Sequence, residues 1–299
     1  CDVFNLDKDK PKDLAYEKYW YKVDVCDFEK LDSIVNVIKP DYLVHLAART
    51  DLNEKEGIQY YNVNVIGVEN IVKIIINYPL IKRVIFASSM LVNKVGYKAK
   101  SVFDYNPNTL YGRSKVIGEE IVFKHADKLR EFCIVRPTSI WGEHFGVPYR
   151  NFFNFVLAGS FFHPGNRACN KTYGYIGNTT YQLDCLLFSE KELINKKIFN
   201  IGDNPSVNIS EWADEIAVIA QVNKPKKIPY FVFKLAGYFG DFLINFGIKF
   251  PMTSFRLGNM TTDNILNVND LYKVCGSPPF SRMEGVERTL KWLKNQNKK

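Results

Sequence analysis

The sequence predicts an α/β protein, a doubly wound parallel sheet with helices on both faces, and three observations carry that reading. Short β-branched apolar runs alternate with amphipathic helical stretches between residues 20 and 137, the rhythm that right-handed crossovers between parallel strands produce. The run Arg83-Val84-Ile85-Phe86-Ala87-Ser88-Ser89 is apolar on both faces and closes on two hydroxyls, the layout of a buried parallel strand with polar groups at its carboxyl end. In Tyr111-Gly112-Arg113-Ser114-Lys115 a phenol and an ammonium stand four residues apart, on one face of the helix expected over residues 111–125. Ligands of open α/β sheets sit outside the strand carboxyl ends, so the hydroxyls and this pair fall where chemistry would be done.

In chain order, residues 2–7 form a short strand that ends in the carboxylate of Asp7, followed by a charged loop over 8–12. Residues 20–25 form the next strand. A helix is expected over 27–38, opened by Asp27 and carrying Leu31, Ile34, Val35 and Ile38 at helical spacing; Pro40 ends it. The strand 42–46 follows, then a helix over 54–77 with Val65, Val68, Ile71, Val72 and Ile75 on one face, the strand 83–89, a second long helix over 110–128, and the strand 131–137. After Trp141-Gly142 the composition changes, with Tyr149, Phe152, Phe153, Phe155, Phe161 and Phe162 crowded together. Residues 1–142, with a return near 172–190, are therefore read as one domain. Residues 143–171 and 191–299 are read as mostly a smaller, discontinuous α+β substrate-binding domain. Ser210 is the expected N-cap of a helix that begins Ser210-Glu211-Trp212.

Length and composition fit this division. A chain of 299 residues is long enough for two domains, and 46% hydrophobic with 24% charged residues is ordinary for a globular protein. Apart from a polar tail over 294–299, the basic residues behind the net charge of +8 are scattered among acidic ones, which fits a diphosphate-bearing substrate and a solvated surface better than nucleic acid. Six cysteines form no C-x-x-C pair and read as free thiols of a reducing compartment, hence a cytoplasmic protein. The four histidines do not cluster at ligand spacing, so no metal site is expected. Residues 228–250 are the most apolar long stretch, interrupted by Lys234, Asp241, Asn245 and Lys249, too broken to span a membrane. They read as a core helix pair of the second domain, with contact to a membrane surface as the alternative.

A lysine beside a tyrosine favours the phenolate and brings a pKa near ~10 toward neutrality, which makes Tyr111 a usable acid/base. Ser89, Tyr111 and Lys115 together resemble the catalytic triad of the short-chain dehydrogenase/reductase superfamily. The likeness is greatest to its extended branch, the NAD-dependent sugar-nucleotide epimerase/dehydratase family. Asp41-Tyr42-Leu43-Val44-His45-Leu46-Ala47-Ala48 resembles that family's fourth strand, Asn64-Val65-Ile66-Gly67 its Asn-x-x-Gly element, and Arg136-Pro137-Thr138-Ser139 the strand end beside the nicotinamide.

The resemblance implies a Rossmann-type sheet and NAD as cofactor. It places Asp24, Val25, Leu46, Ala47, Ala48, Asn64, Ser88, Tyr111, Lys115, Pro137 and Thr138 around that cofactor. An acidic residue at the end of the second strand of such a sheet bonds the adenosine ribose and rejects a 2′-phosphate, a role that falls to Asp7 and favours NAD over NADP. Ser89, Ser139, Lys171 and Arg282 are the implied substrate contacts, and helices 54–77 and 110–128 the implied homodimer interface. The expected activity is that of an NAD-dependent epimerase or 4-keto reductase on a nucleotide-activated sugar, of the kind used to build surface polysaccharide or lipopolysaccharide. A 3β-hydroxysteroid-dehydrogenase-like oxidoreductase of a hydrophobic alcohol and a non-catalytic NAD-binding scaffold are the alternatives.

Departures from the family pattern refine this. Met90 and Leu91 stand where dehydratases of the family carry two carboxylates, which argues against a 4,6-dehydratase. Lys171 and Tyr175-Ile176-Gly177-Asn178 stand where relatives often carry arginine and Tyr-Val-x-Asp, and Asn178 lacks the aspartate's charge, so a substrate other than the common UDP-hexoses is expected. The family's Gly-rich pyrophosphate turn precedes the acidic strand by about 20 residues. No such turn lies in this sequence, and a first strand is expected between residues 2–7 and 42–46. The 299 residues are accordingly expected to belong to a protein longer by about 25 to 35 residues, and by themselves neither to fold stably nor to hold NAD.

Overall fold

A computed structural model describes residues 2–52, 54, 56–147, 149–167, 169–248, 250 and 252–296. Cys1, one of the six cysteines, and Lys249 of the apolar stretch 228–250 lie outside them. The chain forms two compact units, the first made of Cys1–Lys94, Ala99–Pro137 and Asp184–Phe199, the second of Val95–Lys98, Thr138–Leu183 and Asn200–Lys299.

The first unit runs β1 (Asn5–Asp7), β2 (Trp20–Lys22), α1 (Phe28–Ile38), β3 (Tyr42–His45), α2 (Asn62–Asn77), β4 (Arg83–Ala87), α3 (Leu110–Lys124) and β5 (Phe132–Pro137). The chain then builds β6 (Ser139–Trp141), α4 (Tyr149–Leu157), β7 (Phe162–Pro164), β8 (Asn170–Lys171), β9 (Tyr173–Tyr175), α5 (Ile176–Phe188), α6 (Lys191–Ile194) and β10 (Lys197–Ile201). It ends with β11 (Val207–Asn208), α7 (Ile209–Ala220), β12 (Lys226–Ile228), α8 (Tyr230–Asn245), α9 (Ser254–Thr261), α10 (Asn269–Cys275) and α11 (Arg282–Gln296).

The main sheet has the order β10-β5-β4-β3. Its β3–β4 and β4–β5 pairs are parallel, with Tyr42 opposite Arg83 and Val84 opposite Phe132. Parallel neighbours require crossovers, and α2 and α3 supply them, so the strands are covered and read as continuous apolar runs. Val68, Ile71, Val72 and Ile75 of α2 pack with Val84, Phe86, Phe132 and Ile134 of the strands in one buried cluster, each side chain contributing about 1.5–3 kcal/mol by leaving water. β1 and β2 pair parallel as a sheet of their own, so β1 and β3 are both edge strands among the described residues. The α/β class and the parallel, Rossmann-type arrangement agree with the sequence.

Local differences have identifiable causes. α1 has the expected bounds: Asp27 accepts from Lys30 N at 3.1 Å as N-cap, and Lys39 takes the left-handed conformation before Pro40. The helix expected from residue 54 begins later, with a 3₁₀ turn over Ile58–Tyr61 and α2 proper at Asn62. Glu54 bonds Glu56 N at 2.8 Å, and such a local side-chain bond competes with a helical first turn. α3 stops at Lys124 rather than 128. The N-cap of α7 is Asn208, which accepts from Ser210 N and Glu211 N, and not Ser210.

The second unit has an aromatic core in which Trp141, Phe153, Tyr175 and Trp212 are all buried. Within residues 228–250 the structure has one helix, α8, which pairs with α9, but the expected burial is not found. Only Phe233, Gly237 and Gly240 of α8 are buried. A Cβ on Gly240 would lie 1.8 Å from Met252 O, and one on Gly237 3.2 Å from Ser254 N. The glycine face is the one that packs, and the aromatics are left outside. Among the described residues no helix is long and apolar enough to cross a membrane.

Candidate active site

The site grows from the carboxyl end of β4. Ala87 O, Ser88 and Ser89 emerge there in succession. Ser88 N bonds Val135 O at 2.7 Å, continuing the ladder to β5, and Ser88 Oγ donates to Glu119 Oε1 at 2.5 Å. Ser89 is extended and caps a 3₁₀ turn over Met90–Val92, its Oγ accepting from Leu91 N at 3.1 Å. Among the described residues the Ser89 hydroxyl proton has no acceptor.

α3 carries the other two residues of the expected triad. Thr109 caps it, accepting from Gly112 N at 3.0 Å, and Tyr111 and Lys115 follow on one face. A Cβ on Gly112 would lie 2.1 Å from Leu91 O. Only glycine lets the first turn of the helix press on the backbone that follows Ser89, so Gly112 sets how near the phenol of Tyr111 comes to the strand end.

Lys115 is 5% exposed. Its Nζ donates to Ala87 O at 3.0 Å and lies 5.9 Å from the centroid of the Tyr111 ring. Burial pushes its pKa down to about 8, against the opposing pull of Glu119. His45 on β3 feels the same environment, and burial with the Lys115 charge lowers it to about 3, so its imidazole is neutral at physiological pH.

Behind the lysine lies a buried network that no sequence motif marked. Glu119 receives Ser88 Oγ, Arg136 Nε at 2.8 Å, Arg136 Nη2 at 2.6 Å and Tyr105 OH at 2.9 Å. The i, i+4 spacing of 111, 115 and 119 was the available signal; the contacts to Tyr105 and Arg136 are long-range and left none. Asn64 is a second hub. Its Oδ1 accepts from Arg49 N at 2.8 Å, and its Nδ2 donates to Arg49 O at 3.0 Å and to Ser114 Oγ at 2.8 Å. Through Ser114, which bonds Tyr111 O at 2.7 Å, it fastens the loop after β3 to the first turn of α3.

Ser88, Ser89, Asn64, Tyr111 and Lys115 are thus brought together, with Leu46 and Ala47 exposed at the end of the neighbouring strand. Asp7 and Asp24 lie on the separate β1–β2 sheet side, exposed, each bonding a backbone N–H two residues on. Val25 packs against Gly67 of α2, and its carbonyl accepts from Asn70 Nδ2 at 2.9 Å. Pro137 ends β5.

The remaining residues belong to the second unit, with Thr138 in the link before β6, Ser139 on β6, Lys171 on β8 and Arg282 on α11. Thr138 Oγ1 donates to Thr172 O at 2.6 Å. Ser139 Oγ is 2.5 Å from Tyr149 OH. Lys171 donates to Asn259 O and has its pKa lowered by burial, and Arg282 Nε meets Glu215 Oε2 at 2.5 Å. The structure does not gather Ser139, Lys171 and Arg282 through any contact between them. No group of three or more His, Cys, Asp or Glu is placed to hold a metal among the described residues.

Comparison with known proteins places this architecture. An N-acetyl-alpha-D-glucosaminyl-diphospho-ditrans,octacis-undecaprenol 4-epimerase of Escherichia coli O157:H7 is 25% identical over 298 residues, covering 97% of this chain and 88% of that protein. The fold is shared with the UDP-glucose 4-epimerase of Thermotoga maritima, solved with UDP-glucose, at a TM-score of 0.71 and 17% identity over 98% of this chain and 90% of that one. It is shared also with the UDP-glucose 4-epimerase of Thermus thermophilus, solved with NAD, at a TM-score of 0.66 and 19% identity over 92% and 84%. The model of the NAD dependent epimerase/dehydratase family matches residues 1–160, more than half of the sequence. The chain belongs to that family, whose cofactor is NAD.

Proposed function

We propose that the protein is an NAD-dependent 4-epimerase of a diphosphate-activated sugar, working through Ser89, Tyr111 and Lys115 in the making of surface polysaccharide or lipopolysaccharide. The carrying observation is Lys115, a desolvated ammonium whose one acceptor among the described residues is Ala87 O. An ammonium has three donors, and two remaining ones at the end of a parallel strand fit the hydroxyls of a nicotinamide ribose. When bound, NAD supplies a reversible hydride acceptor for the sugar carbinol.

The protein's own residues position groups and move one proton. Tyr111 takes the proton of the sugar hydroxyl during oxidation and returns it after reduction on the other face. Lys115 favours the phenolate and orients the ribose. Ser89, with its hydroxyl proton uncommitted, donates to the substrate oxygen. Asp7 accepts from the adenosine ribose, and Asp24, Val25, Leu46, Ala47, Ala48, Pro137 and Thr138 line the cofactor's path. Asn64 and Ser88 act by holding α3 and β4 in place. Met90 and Leu91, in the turn after Ser89, cannot transfer protons, which favours epimerisation or 4-keto reduction over elimination of water.

The activating group is read first as a nucleoside diphosphate. A polyprenyl diphosphate is the second reading, favoured by the full-length likeness to the Escherichia coli undecaprenol-linked 4-epimerase. Homodimerisation through α2 and α3 belongs to this proposal, supported by the exposed stripe Ile66, Glu69, Lys73 and Ile76 on α2. So does a cytoplasmic location, supported by the five free thiols among the described residues. Incubating the full-length protein and NAD with UDP-N-acetylglucosamine, UDP-glucose and their polyprenyl-diphosphate counterparts, then resolving the released sugars, tests the proposal. The C4 epimer of one of them is expected; NAD binding without any altered sugar would point to a scaffold instead.

A further inference from the structure

We infer that α8 is a membrane-docking helix that lies on an anionic phospholipid surface. Leu235, Tyr238, Phe239, Phe242 and Phe246 stand four, seven, eight, eleven and fifteen residues after Phe231, which puts all six on one stripe of a helix. They are not covered: Phe231, Leu235 and Phe246 are 63%, 63% and 66% exposed. The opposite face is spent on packing, with Gly237 and Gly240 against the backbone of residues 252–254, so the aromatics cannot turn inward without losing that close approach. A contiguous aromatic stripe left in water marks a surface that meets an apolar partner.

Charge identifies the partner. Lys224, Lys226 and Lys227 are exposed just before the helix, Lys234 is exposed on its flank, and Arg167 stacks on Tyr230 at 3.8 Å. The single acid among described residues 224–248 is Asp241, which is turned to accept from Ser254 N at 3.1 Å. Apolar residues on one side flanked by cations are the pattern of a helix that lies in the headgroup region of an anionic bilayer. A symmetric contact with a second copy would set the same cations against one another. α8 is 16 residues long, too short to span a bilayer.

The inference is independent of the triad. It also gives the polyprenyl-diphosphate reading a physical setting, because a sugar on a lipid carrier stays at the surface on which α8 would rest.

The test is cosedimentation of the full-length protein with vesicles of phosphatidylcholine alone and of phosphatidylcholine with phosphatidylglycerol. The parent is expected to bind the anionic vesicles and to be released by salt. Leu235→Glu with Phe239→Glu, and separately Lys226→Glu with Lys227→Glu, should each weaken binding about tenfold or more with the melting temperature unchanged, since all four side chains are exposed. A parent that stays in the supernatant with both vesicles overturns the inference, as do variants that sediment like the parent. Loss of a dimer in the Leu235→Glu, Phe239→Glu variant, seen by ultracentrifugation in a parent that ignores vesicles, would assign the stripe to a second copy instead. Epimerase turnover is not read in this experiment, so its outcome and that of the sugar panel are separate.

Discussion

Asn178 donates from Nδ2 to Asp203 Oδ1 at 3.0 Å, while Asp203 Oδ2 accepts from Tyr175 N at 2.7 Å. The same amide bonds Phe280 O at 2.9 Å and receives Phe280 N at 3.0 Å. This accounts for the departure at the Tyr175-Ile176-Gly177-Asn178 segment. A carboxylate at 178 would face the half-buried carboxylate of Asp203, and an amide can serve both an acceptor and a donor there.

Asn178→Asp should therefore destabilise the protein by about 2–4 kcal/mol at pH 7, and less at pH 4. The direction follows from Asp203, whose pKa burial raises from 3.8 to about 6. The folded carboxyl holds its proton to higher pH than the unfolded one, so its ionisation costs stability. That cost is absent below about pH 4 and complete above about 6, amounting to about 3 kcal/mol. Denaturant melts of parent and variant across this window give the difference, and equal loss at both pH values would contradict the pairing.

Glu119→Gln should cost about 3 kcal/mol or more, because Arg136 would stay buried without its counter-ion. It should also shift the alkaline limb of activity downward. Lys115 titrates at about 8 in the fold, and Glu119 is the charge that holds it up. Turnover is expected to fall as pH rises through that value, because the ammonium is lost. Stability should move the other way between about 8 and the ordinary lysine value, since the folded state there binds fewer protons than the unfolded one. A pH–rate profile unchanged by Glu119→Gln would remove the residue from the site.

Gly112→Ala places a methyl 2.1 Å from Leu91 O. Backbone cannot yield as a flexible side chain does, so α3 must withdraw from the strand end. A stability loss of about 1–3 kcal/mol is expected, together with a larger loss of turnover than that destabilisation explains. Normal kinetics in the alanine variant would show that this close approach is not needed.

Asp7→Ala should narrow the preference for NAD over NADP by about tenfold, read from the two dissociation constants of the full-length protein. Tighter NADP than NAD binding in the parent would show that the carboxylate does not meet the ribose.

What could be read in the sequence depended on how local the cause was. The bounds of α1 were legible because Asp27 and Lys39-Pro40 act within one turn. The start of α2 was not, because the Glu54–Glu56 bond diverts the chain and no propensity announces it. The Tyr111–Lys115 pairing on one helix face and the serines at the end of β4 were legible as spacing and strand-end chemistry, whereas Tyr105 and Arg136 reach Glu119 from distant parts of the chain. For α8 the apolar content was plain, but its meaning turned on Gly237 and Gly240. Their lack of side chains made them the packing face, so residues that hydropathy assigns to a core stand in solvent.

The account rests most directly on Tyr111 as the group that moves the proton. Tyr111→Phe keeps the ring, which lies 6.2 Å from that of Tyr61, and removes only the ionisable oxygen. Measured on the full-length protein with the sugar it epimerises, turnover should fall about a thousandfold while the NAD dissociation constant stays within about twofold of the parent's. Turnover at the parent's level in Tyr111→Phe would contradict the account.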